Sequence, residues 1–276
     1  MDMQHIRRRT LGHPNGPGLS DLKWQTAPLI TPRNTIWQAW NNQAAIRHCI
    51  QTGNQIFISP SIDEGLPCTR EAMIWAGDNK PDMLATWNVL CIGAEAIVTS
   101  NLAVKLNVAN RSKVIIKEVV PHPEDHQGWR EIQHNAVVKL SHPPITVFVE
   151  PIPISGDSPS ECNYHPHHCT CFPISPIRQC VKIPREFCVS GMKTFYRTQI
   201  PLTLGLSLSD FRVQGNGLTN AILDMKRPPT GPLGLENVYV MLSHISSWEG
   251  LAILRPFEDG VLQGVPDQRC SRPDSC

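Results

Sequence analysis

What the sequence lacks narrows its possibilities first. No run approaches the roughly 18 consecutive apolar residues of a membrane-spanning helix. The polar, basic N-terminal stretch is not followed by the apolar block of a secretory signal. Charge is scarce and balanced: 25 Lys and Arg stand against 24 Asp and Glu, and charged residues make up 18% of the chain, where about a quarter is usual. No whole-chain field draws the protein to nucleic acid or an anionic membrane, so any polyanion site is local. Several chemistries are missing as motifs. There is no G-x-x-x-x-G-K-[ST] to cradle a triphosphate and no G-x-G-x-x-G opening a helix after a strand. Neither a G-x-S-x-G elbow nor an H-E-x-x-H zinc helix is present. Asp63-Glu64 follows an apolar run as the acidic end of a Walker B strand does, but without a P-loop it reads as an acidic pair in a loop.

What is there fits a globular protein with a substantial core. The chain has 276 residues, of which 41% are hydrophobic, enough for one or two domains. Proline is abundant, 25 residues against an average near 5%, which favours long irregular connections over helical bundles. Without a secretory signal the ten cysteines are read in a reducing, intracellular compartment, as thiols or metal ligands rather than disulfides.

Periodicity divides the chain further. Residues 1–25, with Arg7, Arg8 and Arg9, read as a solvated polar tail. APLI then forms a short strand, and TIWQAWNNQAAIRHCIQTG gathers Trp37, Trp40, Ala44 and Ile46 to Cys49 on one helical face, with Gly53 as its stop. QIFIS (Gln55 to Ser59) follows as a second strand, which predicts a parallel β-α-β unit. A weak helix is expected over Thr69 to Trp75, and a strand over Ala94 to Thr99. β-rich runs then dominate: Val114 to Val120, Asn135 to Leu140 and Ile145 to Glu150. After Pro201, SLSDF (Ser207 to Phe211) reads as a helix, Asn220 to Met225 as a strand, LENVYVMLSHI as a helix and Gly250 to Leu254 as a last strand. The expected organisation is a three-layer α/β domain over 26–104 and 197–260, a small β-rich insertion over 105–196, and a second tail over 261–276.

Four segments suggest a family. ITPRNTIWQAWN (Ile30 to Asn41), IGAEAIVTSNLAVKLNVAN (Ile92 to Asn110), RTQIPLTLGLSLSDFRVQG (Arg197 to Gly215) and LENVYVMLSHISSWEGLAILRPFED (Leu235 to Asp259) occur in that order. Together they resemble the C-terminal half of a Pif-type, RecD-like superfamily-one DNA helicase, closest to the fungal branch. The resemblance implies the second RecA-like lobe of the P-loop NTPase type, without the P-loop, and an inserted SH3-like β domain. It implies a place in the nucleus rather than the mitochondrion, single-stranded DNA as partner, and no membrane. ATP and Mg would be used only if a P-loop-bearing lobe is supplied elsewhere. Thr31, Arg33, Asn34, Asn41, Asn110 and Arg212 match positions that approach DNA, and Gln214, Gly215, Tyr239 and Ser243 match the nucleotide cleft.

Three departures from that family pattern fall at functional positions. Val213 replaces a serine, and His244 stands where the family places the arginine that stabilises the transferring phosphoryl group. Histidine lacks the reach and the planar fork of arginine. Asn110-Arg111-Ser112 replaces a glycine-bearing turn, putting Cβ atoms where φ > 0 is tolerated. With no first lobe, the expectation is a truncated, degenerate helicase segment that retains at most single-strand binding.

A second constellation lies in the insertion. Cys162, His165, His167, His168, Cys169, Cys171, Cys180 and Cys188 crowd 27 residues, and thiolate and imidazole are zinc ligands. The alternative expectation is therefore a zinc-stapled interaction module using Cys162, His165, His168, Cys169, Cys171 and Cys180, although no C-x-x-C pair is present. A decayed remnant is the other alternative.

Overall fold

The computed structural model describes residues 3–65, 84–103, 108–125, 137–152, 170–182, 194–205, 207–208, 217–227 and 233–262. In chain order its first elements are α1 (Met3–Arg7), α2 (Leu22–Gln25), β1 (Leu29–Ile30), α3 (Asn34–Thr52), β2 (Ile56–Pro60) and β3 (Ile62–Glu64). There follow β4 (Trp87–Cys91), β5 (Glu95–Val98), β6 (Lys113–Val120), β7 (Val137–Lys139), β8 (Thr146–Pro151), β9 (Phe172–Ile174) and β10 (Ile177–Lys182). The chain continues with β11 (Thr194–Gln199), β12 (Leu202–Leu204), β13 (Ser207–Leu208), β14 (Ala221–Leu223), α4 (Leu235–Ser243) and β15 (Leu251–Ile253). It divides into two compact units, Met1–Trp40 with Leu206–Cys276, and Asn41–Gly205.

The first unit is built on a parallel sheet of order β13-β1-β14-β15. β1, β14 and β15 are buried along their whole length, as strands covered on both faces must be. The β14-α4-β15 segment is a crossover joining adjacent parallel strands. Trp24, Ala27, Leu29, Ile222 and Ala252 form the core beneath it.

The N-terminal stretch departs from the expected solvated tail. Trp24 is fully buried and Ile6 nearly so, and the Ile253 N–H and C=O pair with Arg9 and Leu11. Arg9 donates from Nε to the Leu251 carbonyl at 2.7 Å, and burial lowers its pKa against the opposing charge of Glu249. The edge of β15 supplies unpaired backbone groups, and a basic segment carrying one tryptophan can satisfy them while burying apolar area.

The second unit is β-rich. Its largest sheet, β12-β5-β6-β8-β9, is antiparallel throughout. β6 alternates half-buried and buried positions until a bulge between Ile116 and Glu118 shifts the phase and brings Val119 inward. Val114, Ile116, Val147 and Val149 share one core with Phe57 of β2 and Leu90 of β4. A third sheet, β10-β11-β3, carries the Asp63–Arg197 ion pair.

Several expectations are corrected here. β1 and β2 do not form a parallel β-α-β unit: both edges of β1 are taken by β13 and β14, and β2 gains five antiparallel pairs with β4 plus a parallel partner in β7. The β-rich unit starts far earlier than residue 105, because β2, β4 and β5 pair within it. Ser207 and Leu208 lie in a strand rather than a helix. Asp63 and Glu64 are on a strand, and their carboxylates meet Arg197 and Arg178. The weak helix expected over 69–75 lies outside the described residues.

Candidate nucleic-acid interface

In a parallel sheet the carboxyl ends of the strands carry the chemistry, because loops there leave the sheet together. In the first unit these ends are Thr31 after β1, Asp224 after β14, and Leu254-Arg255 after β15. Asp224 is completely buried. Arg255 grips it in a fork, Nε to Oδ1 at 2.9 Å and a terminal nitrogen to Oδ2 at 2.7 Å. The Thr31 hydroxyl donates to the same Oδ2 at 3.0 Å and accepts the Arg33 N–H at 3.2 Å. Asp224 is thus a hub that fixes the β1–α3 turn and the end of β15 together.

Cations surround this hub. Arg33 donates to the carbonyls of Lys226, at 3.1 Å, and Arg227, so the β1–α3 turn also holds the loop after β14. Lys226 and Arg227 are exposed. The Glu258 carboxyl is held below the usual carboxylate range, first by a backbone N–H of its own residue, which outweighs the opposing effect of burial, and then by the Arg227 N–H and the charges of Lys226 and Arg227. Four cations, Arg33, Lys226, Arg227 and Arg255, stand along this edge against two carboxylates, Asp224 and Glu258. Such a surface can take phosphate oxygens without reading bases.

The expected site residues are dispersed. Thr31 is 1% exposed and Asn41 4%, so both are buried inside the protein; Thr31 orients the turn. Asn34 opens α3. Asn110 is exposed in the turn before β6, its N–H given to Asn101 Oδ1 at 2.9 Å. Beside it Arg111 holds φ +74°, and its N–H bonds the Val98 carbonyl at 2.8 Å. The turn has been rebuilt with a side chain in the left-handed region. Arg212, Val213, Gln214 and Gly215 lie outside the described residues.

Tyr239 is 72% exposed on α4. The Ser243 hydroxyl donates to the Val240 carbonyl at 2.9 Å. His244 is the C-cap residue of α4, and its carbonyl accepts the Leu218 N–H at 2.7 Å. Sequence patterns do not single out Asp224, Lys226, Arg227 or Arg255. One usable signal is that Asp224 interrupts the apolar run AIL (Ala221 to Leu223) at the carboxyl end of an expected strand.

Of the expected zinc ligands, Cys162, His165, His168 and Cys169 lie outside the described residues. Cys171 is buried ahead of β9, and Cys180 is exposed on β10 in a different sheet. Among the described residues neither joins a group able to hold a metal. No helix among them is long and apolar enough to cross a membrane.

Comparison with known proteins gives the fold. No family model and no curated protein matches the chain. Among solved structures it is similar to the Pif1 helicase from Candida albicans, at TM-score 0.52 and 16% identity over 87% of this chain and 49% of that one. A Pif1 structure describing unwinding of forked double-stranded DNA by two coordinating helicases matches at TM-score 0.54 and 13% identity, covering 92% and 44% of the two chains. Bacteroides Pif1 bound to single-stranded DNA matches at 0.53 and 12%, covering 89% and 44%. The chain has a Pif1-helicase-like α/β fold and spans just under half the length of these proteins.

Proposed function

We propose that this chain is a DNA-binding helicase module: the second RecA-like lobe of a Pif-type helicase, of the fungal kind, with the β-rich unit as its inserted SH3-like domain. It binds single-stranded DNA through the sugar–phosphate backbone. The observation that carries this reading is the cationic carboxyl edge of the parallel sheet, where Arg33, Lys226, Arg227 and Arg255 are organised around buried Asp224. A related fold in a protein bound to single-stranded DNA supports it.

The same reading assigns no ATP hydrolysis to these residues alone. They include no P-loop to hold the triphosphate and Mg, and His244 occupies the arginine position of the last motif. Loss of such an arginine costs on the order of 10³-fold or more in rate. A P-loop-bearing lobe is therefore the partner required for turnover, and the nucleus is the compartment proposed.

Fluorescence anisotropy with a labelled single-stranded oligonucleotide at several salt concentrations tests this. Binding should weaken with salt, and joint replacement of Lys226 and Arg227 by alanine should flatten the log–log slope by about 0.7 for each phosphate no longer neutralised. Salt-independent affinity, or no binding at low salt, would sink the proposal, as would ATP turnover by the chain alone.

A further inference from the structure

We propose that the second unit carries a divalent transition-metal site formed by His122, Glu124 and His142. It uses none of the Cys and His residues of 162–188 and only nitrogen and oxygen ligands.

The sheet brings these residues together although the two histidines stand twenty positions apart in sequence. β6 and β8 are antiparallel, with Val120 paired to Thr146 at the end of the ladder, and the Ile145 N–H closes it on the Val120 carbonyl at 2.9 Å. The chain leaving β6 and the chain entering β8 therefore emerge side by side. His122 lies between Pro121 and Pro123, and His142 precedes Pro143-Pro144, so the backbone at both imidazoles is restricted to few conformations.

Asp125 ties the two loops. Its carboxylate accepts the N–H groups of Ser141 at 2.8 Å and His142 at 3.0 Å, and it is only 8% exposed.

The side chains converge. The two imidazole centroids are 4.6 Å apart with 32° between the planes, and His142 Nε2 is 3.3 Å from Glu124 Oε2. One ligand atom from each of the three residues lies within 4.8 Å of the others. Bonds of 2.0–2.2 Å to a tetrahedral ion need a separation of about 3.4 Å. The His142–Glu124 pair already stands at that separation, at 3.3 Å, so the adjustment that remains is toward His122, and Glu124, with its side chain 71% exposed, is free to share in it.

The surroundings of His142 favour a ligand. Its Nδ1 is buried and makes no aligned hydrogen bond, yet faces Asp125 Oδ2 at 3.5 Å. A carboxylate behind one ring nitrogen, with the other nitrogen aimed at a second carboxylate, is the outer-shell arrangement that fixes a metal-bound histidine. Two imidazoles and one carboxylate suit zinc, cobalt or nickel better than calcium or magnesium, with water completing the coordination. His122 Nδ1 meets only the Glu124 N–H, at a long 3.4 Å, a contact that a metal outcompetes.

The test uses the full chain, freed of metal by a chelator and titrated with Co²⁺ while the visible spectrum is recorded. One equivalent should bind with d–d bands of nitrogen and oxygen ligation and no thiolate-to-cobalt charge transfer. His122→Ala and His142→Ala should each remove that equivalent, and Glu124→Gln should weaken it at least tenfold. Replacing Cys162, Cys169, Cys171 and Cys180 by serine should leave it unchanged. Melting curves in chelator, matching wild type, establish that the histidine variants are folded; Glu124→Gln, at an exposed position, serves if one of them is not. The proposal is overturned if no cobalt binds, if stoichiometry survives both histidine replacements, or if the bound ion shows a thiolate band that disappears with the cysteines.

Discussion

Each unit buries one aspartate against one arginine, and the two pairs differ in what lies around them. In the β-rich unit Asp63 and Arg197 are sealed, with side chains 5% and 0% exposed. Both carboxylate oxygens take a guanidinium N–H at 2.8 Å, and a remaining nitrogen donates to the Leu84 carbonyl at 3.1 Å. In the parallel-sheet unit Asp224 is equally buried, but Arg255 is 28% exposed and has cations beside it. The first pair fastens β11 to β3 and has no open side from which to receive a ligand. The second sits where strand ends release their loops, so its arginine can fasten the fold and also face an anion.

The comparison fails if the two pairs respond alike. Arg197→Met leaves a buried carboxylate without its partner and should lower stability by about 3–5 kcal/mol, read from denaturant melts, with the salt slope of DNA binding unchanged. Arg255→Met should cost less, about 1–3 kcal/mol, because water reaches its guanidinium and screens the charge. It should also weaken single-strand binding. If Arg197→Met proves the milder change, or if it alone weakens DNA binding, the division of roles is wrong.

The thiols of the β-rich unit sharpen the contrast through pH. Burial pushes Cys91 up to about 12, with a smaller effect from Cys49, and burial raises Cys49 as well. Both stay protonated in the folded protein at a pH where unfolded thiols, near 9.0, ionise. The folded state then binds more protons, so the stability linked to these groups is complete below about pH 9 and is lost as pH rises toward 12. Denaturant midpoints should fall between about pH 8 and pH 10.5, and Cys91→Ala should flatten the decline. An unchanged midpoint would show these thiols to be solvated.

The smallest effect belongs to the turn before β6. Arg111 at φ +74° carries a Cβ in a region that disfavours it, and glycine would remove that strain at some entropic cost. Arg111→Gly should therefore raise stability by about 0.5 kcal/mol, measurable as a higher denaturant midpoint. A lower midpoint would mean that the Arg111 side chain contributes more than its backbone costs.

Much of the local structure was legible. The segments around Leu29, Ile56, Glu95, Lys113, Thr146, Ala221 and Leu251 are strands as their apolar patterns suggest, and α3 ends at Gly53 with φ +74°. Their partners were less legible. A run such as QIFIS fits a parallel strand or an antiparallel one equally well, since burial on both faces erases the alternation that separates them. The N-terminal segment misled for another reason: its composition is polar, but one tryptophan and the backbone groups of a sheet edge hold it in place. At the candidate site, Arg33 was identifiable from the resemblance, whereas Arg255 acquires meaning only beside Asp224, thirty-one residues away.

The sequence by itself determined the α/β class, the resemblance in pattern to Pif-type helicases and the absence of a P-loop motif within these residues, because periodicity and motifs are local properties of the chain. Tertiary structure alone decided that Thr31, Asp224 and Arg255 share one sheet edge, and that His122 and His142 meet at the end of the β6–β8 ladder. Sheet register sets those meetings, and register depends on which distant strands win the competition for each edge.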